Sequence, residues 1–417
     1  MEGFARNAHW LNGRGGALLL AGALATGVLT AGAARAQTDE HMVLVDTIDV
    51  GGNGLGAFDI SFVDPKLDLY VLADRTNASV DFFDASDNTF VGRVGGFKGV
   101  VLNANGTANN ALSGPDGVLV ADSKEVWAGD GDSTVKVIDI ATFQVVDSIS
   151  TGGSFRVDEM AYDPSDHIIA VANNADTPPF VTLIDTQSHA ILGKITFDGT
   201  NGTPDATNTG IEQSQWSPDT GLFYISVPQS GPSDPSVGAV STIDPHSMKV
   251  VASFPVSNCT PAGLTLGPNY QALIGCSASF GTAPNVLTQS LVIDIRNGDV
   301  RASIPQVGGS DEVWYDKGTQ HYYLAARNNE DANGKTVPVL GTVDALTNQF
   351  DGNVPTSTSA HSVAADRVSH HVFVPIGFPA AGASDPTNPC PDVTRGCIAV
   401  YAPSAIDDDD GTRQGRR

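Results

Sequence analysis

The sequence predicts an all-β fold, a seven-bladed β-propeller with four antiparallel strands per blade. Three observations carry this. First, one pattern recurs: acidic residue, short apolar strand, turn, second apolar strand. It reads GGSDEVWYDKGTQHYYLAARNN at 308–329, FRVDEMAYDPSDHIIAVANN at 155–174 and TGIEQSQWSPDTGLFYISVP at 209–228. Second, a turn anchor closes each first strand, at Asp64, Ala121, Asp163, Ser217, Gly267, Asp316 and Asp366, at intervals of 42 to 57 residues that suit propeller blades. Third, a later strand in six units ends in Asp (Asp84, Asp139, Asp185, Asp244, Asp294, Asp344), a residue whose carboxylate initiates turns by accepting nearby backbone N–H groups.

Taken in order, residues 1–36 read as a cleaved signal peptide. Arg6 and Arg14 precede the apolar run 16–34, and Ala34-Arg35-Ala36 forms an A-x-A site, so a mature start near Gln37 is expected. No Arg-Arg pair precedes the apolar run, which favours the general secretory route. The propeller is expected over 37–404 as one domain. The last unit, from His361 to CIAVYAPS, lacks a fourth strand, and residues 41–50 (HMVLVDTIDV) have the pattern to supply it and close the ring. Residues 405–417 read as a frayed tail, the Asp407–Asp410 run included. Turns between first and second strands are short. Insertions at 96–113, 229–237, 277–288, 328–337 and 377–391 all fall at the other end, the usual mark of a binding face.

The four cysteines are late and lack C-x-x-C spacing. Cys259 precedes the first strand of blade five and Cys276 ends its second, so antiparallel pairing brings them within disulfide reach. Cys390 and Cys397 close the insertion of blade seven. Two disulfides and an export signal place the protein in the periplasm or outside the cell. A net charge of −25 disfavours nucleic acid and anionic membrane surfaces as partners. No later stretch spans a bilayer, and a monomer acting on a small molecule is expected.

Five residues before the anchors stand Asp59, Asp116, Asp158, Glu212, Ala262, Asp311 and His361, which a propeller gathers at the mouth of its central channel. Converging carboxylates repel and need compensation: a divalent cation, protonation or salt bridges. The metal candidates are Asp59, Asp116, Asp158, Glu212 and Asp311, with calcium as the expected ion. His361, Glu212 and Asp311 are the candidate acid–base residues. Arg75 and Arg327, each eleven residues after its anchor, and the loop residues Asn174 and Asn328 are the substrate-binding candidates. Each single ring Asp also reads as plain turn chemistry, but Glu212 and His361 are not usual turn formers. In Asp158-Glu159 and Asp311-Glu312, strand alternation sends one acid inward and the other toward a neighbouring blade, where Arg156 is a possible partner. His167, His370 and His371 lie at the far end as surface residues, and Trp127, Trp216 and Trp314 read as core. No haem, flavin, nucleotide or copper motif is present.

The run STVKVIDIATFQVVDSISTGG (133–153) resembles the YVTN-type propeller repeats of exported bacterial proteins, which implies the fold but no single activity. The steps PDGVLV (115–120) and GIEQ (210–213) are similar in position to the metal-holding strand starts of the calcium-dependent gluconolactonase family, whose E-G-P-x-W opening is absent here. That resemblance implies a metal-dependent lactonase-like hydrolase. A further similarity of His361 to the mouth residues of streptogramin-lyase-type propellers implies a lyase. The competing expectation is a non-catalytic binding propeller with a structural acidic ring.

Overall fold

The computed structural model describes residues 41–231, 234–276, 288–380 and 382–404. The expected signal peptide, the tail and most of the 277–288 insertion lie outside them. Within them the chain forms seven four-stranded antiparallel sheets. A strand at Met42–Ile48 (β1) comes first. Blade one is Ser61–Asp64 (β2), Leu69–Asp74 (β3), Ser79–Asp84 (β4) and Thr89–Gly95 (β5). Blade two is Val118–Ala121 (β6), Glu125–Gly129 (β7), Thr134–Asp139 (β8) and Gln144–Ser150 (β9). Blade three is Met160–Asp163 (β10), Ile168–Asn173 (β11), Phe180–Asp185 (β12) and Ile191–Thr196 (β13). Blade four is Ser214–Ser217 (β14), Leu222–Val227 (β15), Val237–Asp244 (β16) and Lys249–Ser257 (β17). Blade five is Pro261–Gly267 (β18), Gln271–Cys276 (β19), Gln289–Asp294 (β20) and Val300–Ile304 (β21). Blade six is Val313–Asp316 (β22), His321–Ala326 (β23), Val339–Asp344 (β24) and Gln349–Pro355 (β25). Blade seven is Ala364–Ala365 (β26), Val372–Ile376 (β27) and Cys397–Pro403 (β28).

The ring closes as the sequence predicts. β1 is the outer strand of blade seven, running antiparallel to β28 from Met42 opposite Pro403 to Ile48 opposite Ile398. The turn chemistry is as expected too. Asp84, Asp139, Asp185, Asp244, Asp294 and Asp344 each accept backbone N–H bonds from the turn that follows. Asp64, Asp163, Asp316 and Asp366 do the same after the first strands.

The core is divided among the blade interfaces. Seven buried clusters fill the seven junctions between neighbouring blades. The closing junction is no exception: Tyr70 of blade one stacks on Phe373 of blade seven at 4.7 Å between ring centroids. Each such side chain contributes about 1.5–3 kcal/mol by leaving water. Every blade therefore holds both neighbours, and the mouth residues sit on a rigid frame. Disulfides join Cys259 to Cys276 and Cys390 to Cys397, with Cα atoms 4.9 and 5.6 Å apart, and both match the predicted pairing. They mark an oxidising, exported setting. No helix among the described residues is long and apolar enough to cross a membrane.

One expectation is corrected. Trp127 is fully buried, but Trp216 and Trp314 are only partly so, and both line a cleft of about 640 Å³ near the anchor turns, at the end away from the mouth.

Candidate functional site

The mouth begins with a backbone irregularity. The Asp59 N–H bonds the Ala73 carbonyl and the Ala73 N–H bonds the Ile60 carbonyl, so two residues oppose one. The same two-against-one pattern sets Asp116-Gly117 against Gly129, Asp158-Glu159 against Ala172, and Glu212-Gln213 against Ser226. This is a β-bulge, and it breaks the alternation of side chains at the strand entrance. Gly117 shows how close the chains come, since a Cβ there would lie 1.7 Å from the Asp158 carbonyl oxygen.

The bulge overturns the expectation that only one acid of each pair looks inward. Asp158 meets Arg156 and Asn174, while Glu159 meets Glu312. Those glutamates belong to blades three and six, which are not neighbours, so both reach across the channel. Gln213 accepts from the Leu264 N–H at 2.6 Å and the Val313 N–H at 3.2 Å, tying blade four to blades five and six.

Above the glutamates, carboxylates alternate with guanidinium groups. Arg75, just past β3, pairs with Asp59 and Asp116, and its Nε donates to Asp116 Oδ1 at 2.7 Å. Arg156 pairs with Asp158 and reaches Asp59 at 3.1 Å, while its Nε donates to Asn174 Oδ1 at 3.2 Å. Asn174 donates in turn to Asp158. Arg327 pairs with Asp311 at 2.7 Å and keeps 34% of its side chain exposed, against 6% for Arg75. Asn328 is half-buried beside Arg327 and does not line the cavity.

These groups surround a cavity of about 390 Å³ lined by Asp59, Arg75, Arg156, Glu212, Asp311, Arg327 and His361 among others. The His361 ring stacks on Phe58 at 4.5 Å. Its Nδ1 lies 2.7 Å from the Ser359 carbonyl oxygen, which can only accept, so Nδ1 carries the hydrogen. Nε2 is left 3.4 Å from Asp59 Oδ1. Glu212 is 8% exposed and lines the cavity, and its carboxyl has no hydrogen-bond or ion-pair partner among the described residues.

Seven carboxyls (Asp59, Asp116, Asp158, Glu159, Glu212, Asp311, Glu312) thus face three guanidinium groups and one imidazole. Arginines resolve part of the excess and protons the rest. Burial works to raise Asp59, but Arg75, Arg156 and His361 outweigh it and hold its carboxyl well below the usual range. Burial pushes Asp158 up to about 7 in spite of Arg156, with Asp59 and Asp311 adding repulsion. Glu159 is pushed up to about 8, first by burial. Burial also raises Glu312 well above the ordinary value, and the neighbouring Glu159 raises it further. Glu212 is raised well above the carboxylate range by burial and then by Asp158 and Asp311, with only Arg156 opposing.

The expected calcium set can be tested on this geometry. Calcium takes six to eight oxygen ligands. Asp59, Asp116, Asp158 and Asp311 each already hold a guanidinium, and Asp116 lies fully buried outside the cavity wall. The donor set fits arginine better than calcium. Among the described residues, the group that clusters as metal ligands is instead His321, Asp344 and Asp351 in blade six.

Of the expected residues, the structure brings Asp59, Arg75, Glu212, Asp311, Arg327 and His361 to one cavity, with Asp116, Asp158 and Asn174 behind it. Sequence reasoning gave Arg156 only a supporting part, yet it touches three ring acids. It also missed Asn110 and Ser359, which line the cavity. The signal for Arg156 was its place two residues before a ring acid. Asn110 lay unmarked within the 96–113 insertion. No protein-family model and no curated protein matches this chain.

Proposed function

We propose that the protein is an exported acid–base enzyme, a hydrolase or lyase, that takes a small anionic molecule at the channel mouth. The supporting observation is the pairing, in one cavity of about 390 Å³, of a partnerless carboxyl held neutral, Glu212, with an imidazole of fixed tautomer, His361. The volume lies in the range of small-molecule sites. In this reading Arg327, the most open guanidinium, holds the anionic group of the substrate. His361 takes a proton at Nε2, and the Asp59 carboxylate 3.4 Å away stabilises the imidazolium that results. Glu212 gives its proton to the departing or carbonyl oxygen. Asp158, Arg156 and Asn174 position the wall behind Glu212. No step is routed through a metal. The protein works in the periplasm or outside the cell, as a monomer, after removal of residues 1–36.

The test is turnover of a panel of lactones and β-substituted carboxylates by the wild type, Glu212→Gln and His361→Asn, with and without EDTA. The expected result is activity on at least one substrate, insensitive to EDTA and reduced about 100-fold or more in each variant. Activity that needs calcium would restore the lactonase-like metal mechanism. A panel left untouched by the folded wild type would favour a binding propeller, the reading supported by the pairing of Arg75 with both Asp59 and Asp116.

A further inference from the structure

Blade six carries a second chemical feature, at the opposite end from the mouth. His321 opens β23 and stands opposite Asp344, the last residue of β24. Between β24 and β25 the register shifts: Thr342 pairs with Gly352 and Val343 with Phe350, which leaves Asp351 as the extra residue of a bulge. In blades one to four the same register shift leaves Val91, Val146, Leu192 and Val251, all exposed. Asp351 departs from its siblings, as a carboxylate whose side chain is only 3% exposed. Three adjacent strands therefore contribute one histidine and two aspartates to one spot, and their ligand atoms all lie within 4.8 Å of one another.

A simple ion pair does not account for this arrangement. His321 Nε2 lies 3.2 Å from Asp351 Oδ2, yet that buried oxygen makes no hydrogen bond. The two atoms stand side by side, at about the 3.3 Å edge of a tetrahedron with arms of about 2.0–2.1 Å. Asp344 is held by its Oδ1, which accepts the N–H groups of Leu346 at 2.8 Å and Thr347 at 2.7 Å, leaving Oδ2 uncommitted. No lysine or arginine ion-pairs with Asp344 or Asp351 among the described residues, whereas the mouth aspartates are arginine-bound.

We propose that His321, Asp344 and Asp351 form a binding site for a first-row divalent transition ion of the zinc class. The imidazole favours such an ion over calcium, and three protein ligands leave a fourth position for water. Bound there, the ion clips β23, β24 and β25 together without touching the mouth.

The experiment uses the tag-free exported protein, stripped with chelator, and two probes: zinc by calorimetry and cobalt by visible absorption. The expected result is one equivalent of zinc, a raised melting temperature and a tetrahedral cobalt band. Asp351→Asn and His321→Gln should each weaken zinc binding at least 100-fold, while Glu212→Gln leaves it unchanged. Asp344→Asn keeps the turn cap and should also weaken binding, which covers the case in which one of the other variants misfolds. Zinc affinity unaltered by all three substitutions, or a wild type that binds calcium but neither zinc nor cobalt, overturns the proposal.

Discussion

The glutamate pair across the channel makes stability depend on pH, and replacing it should remove that dependence. Glu159 and Glu312 meet in a buried position, where burial raises Glu159 from an ordinary 4.5 to about 8 and Glu312 well above its ordinary value. Near neutral pH the folded protein keeps the Glu159 proton that the unfolded chain releases. Its contribution is therefore fully present below about 4.5 and is lost as pH rises toward about 8. The span from 4.5 to about 8, at about 1.4 kcal/mol per pH unit, sets a ceiling of about 5 kcal/mol. Water entering the channel lowers this, so about 2–3 kcal/mol is the expected loss between pH 5.5 and 8.5. The perturbation is Glu159→Gln with Glu312→Gln, which keeps shape and hydrogen-bonding capacity while removing both titrations. Urea unfolding at the two pH values is the assay. Asp158 titrates in both proteins, so the difference between their slopes reports the pair. An equal loss of stability in wild type and double variant would mean that the pair is not the source of the pH dependence.

Arg75→Gln leaves Asp59 and Asp116 facing each other without their shared cation and should cost about 3–5 kcal/mol in urea unfolding at pH 7. A loss under 1 kcal/mol would mean that Arg156 suffices alone. Replacing Cys259 and Cys276 together by serine opens a bridge of sequence separation 17 and should cost about 3 kcal/mol, read from the shift in urea midpoint. Glu212→Gln should reduce turnover about 100-fold or more yet hold or raise the melting temperature at pH 7, because it removes a buried acid whose carboxyl has no partner.

The sequence revealed the fold more fully than the site, for physical reasons. Asp at the turn after a strand acts locally, so Asp64, Asp163 and Asp316 mark the blades without knowledge of the rest of the chain. Ring closure was legible because HMVLVDTIDV is rich in strand-forming β-branched and apolar residues and blade seven lacked a strand. The ring positions followed by counting from the anchors. What the acids do with their charge did not follow, because that depends on contacts between blades. Arg156 reaches Asp59 across 97 residues of chain, and Glu159 meets Glu312 from a non-neighbouring blade. Strand alternation misled for Asp158-Glu159 because the bulge at the strand entrance leaves no mark in the residue types. Trp216 and Trp314 misled because a strand tryptophan reads as core, whereas these two sit where β14 and β22 meet the cleft at the far end.

In the proposed reading, arginines and protons together balance the acidic ring and leave Glu212 a neutral acid in the cavity. Infrared difference spectroscopy between the wild type and Glu212→Gln at pH 7 tests it without any substrate. The predicted difference spectrum contains the carbonyl stretch of one protonated carboxylic acid, lost in the variant. A difference spectrum showing the loss of carboxylate bands instead would mean that Glu212 is ionised, and the acid–base reading of the mouth would fall with it.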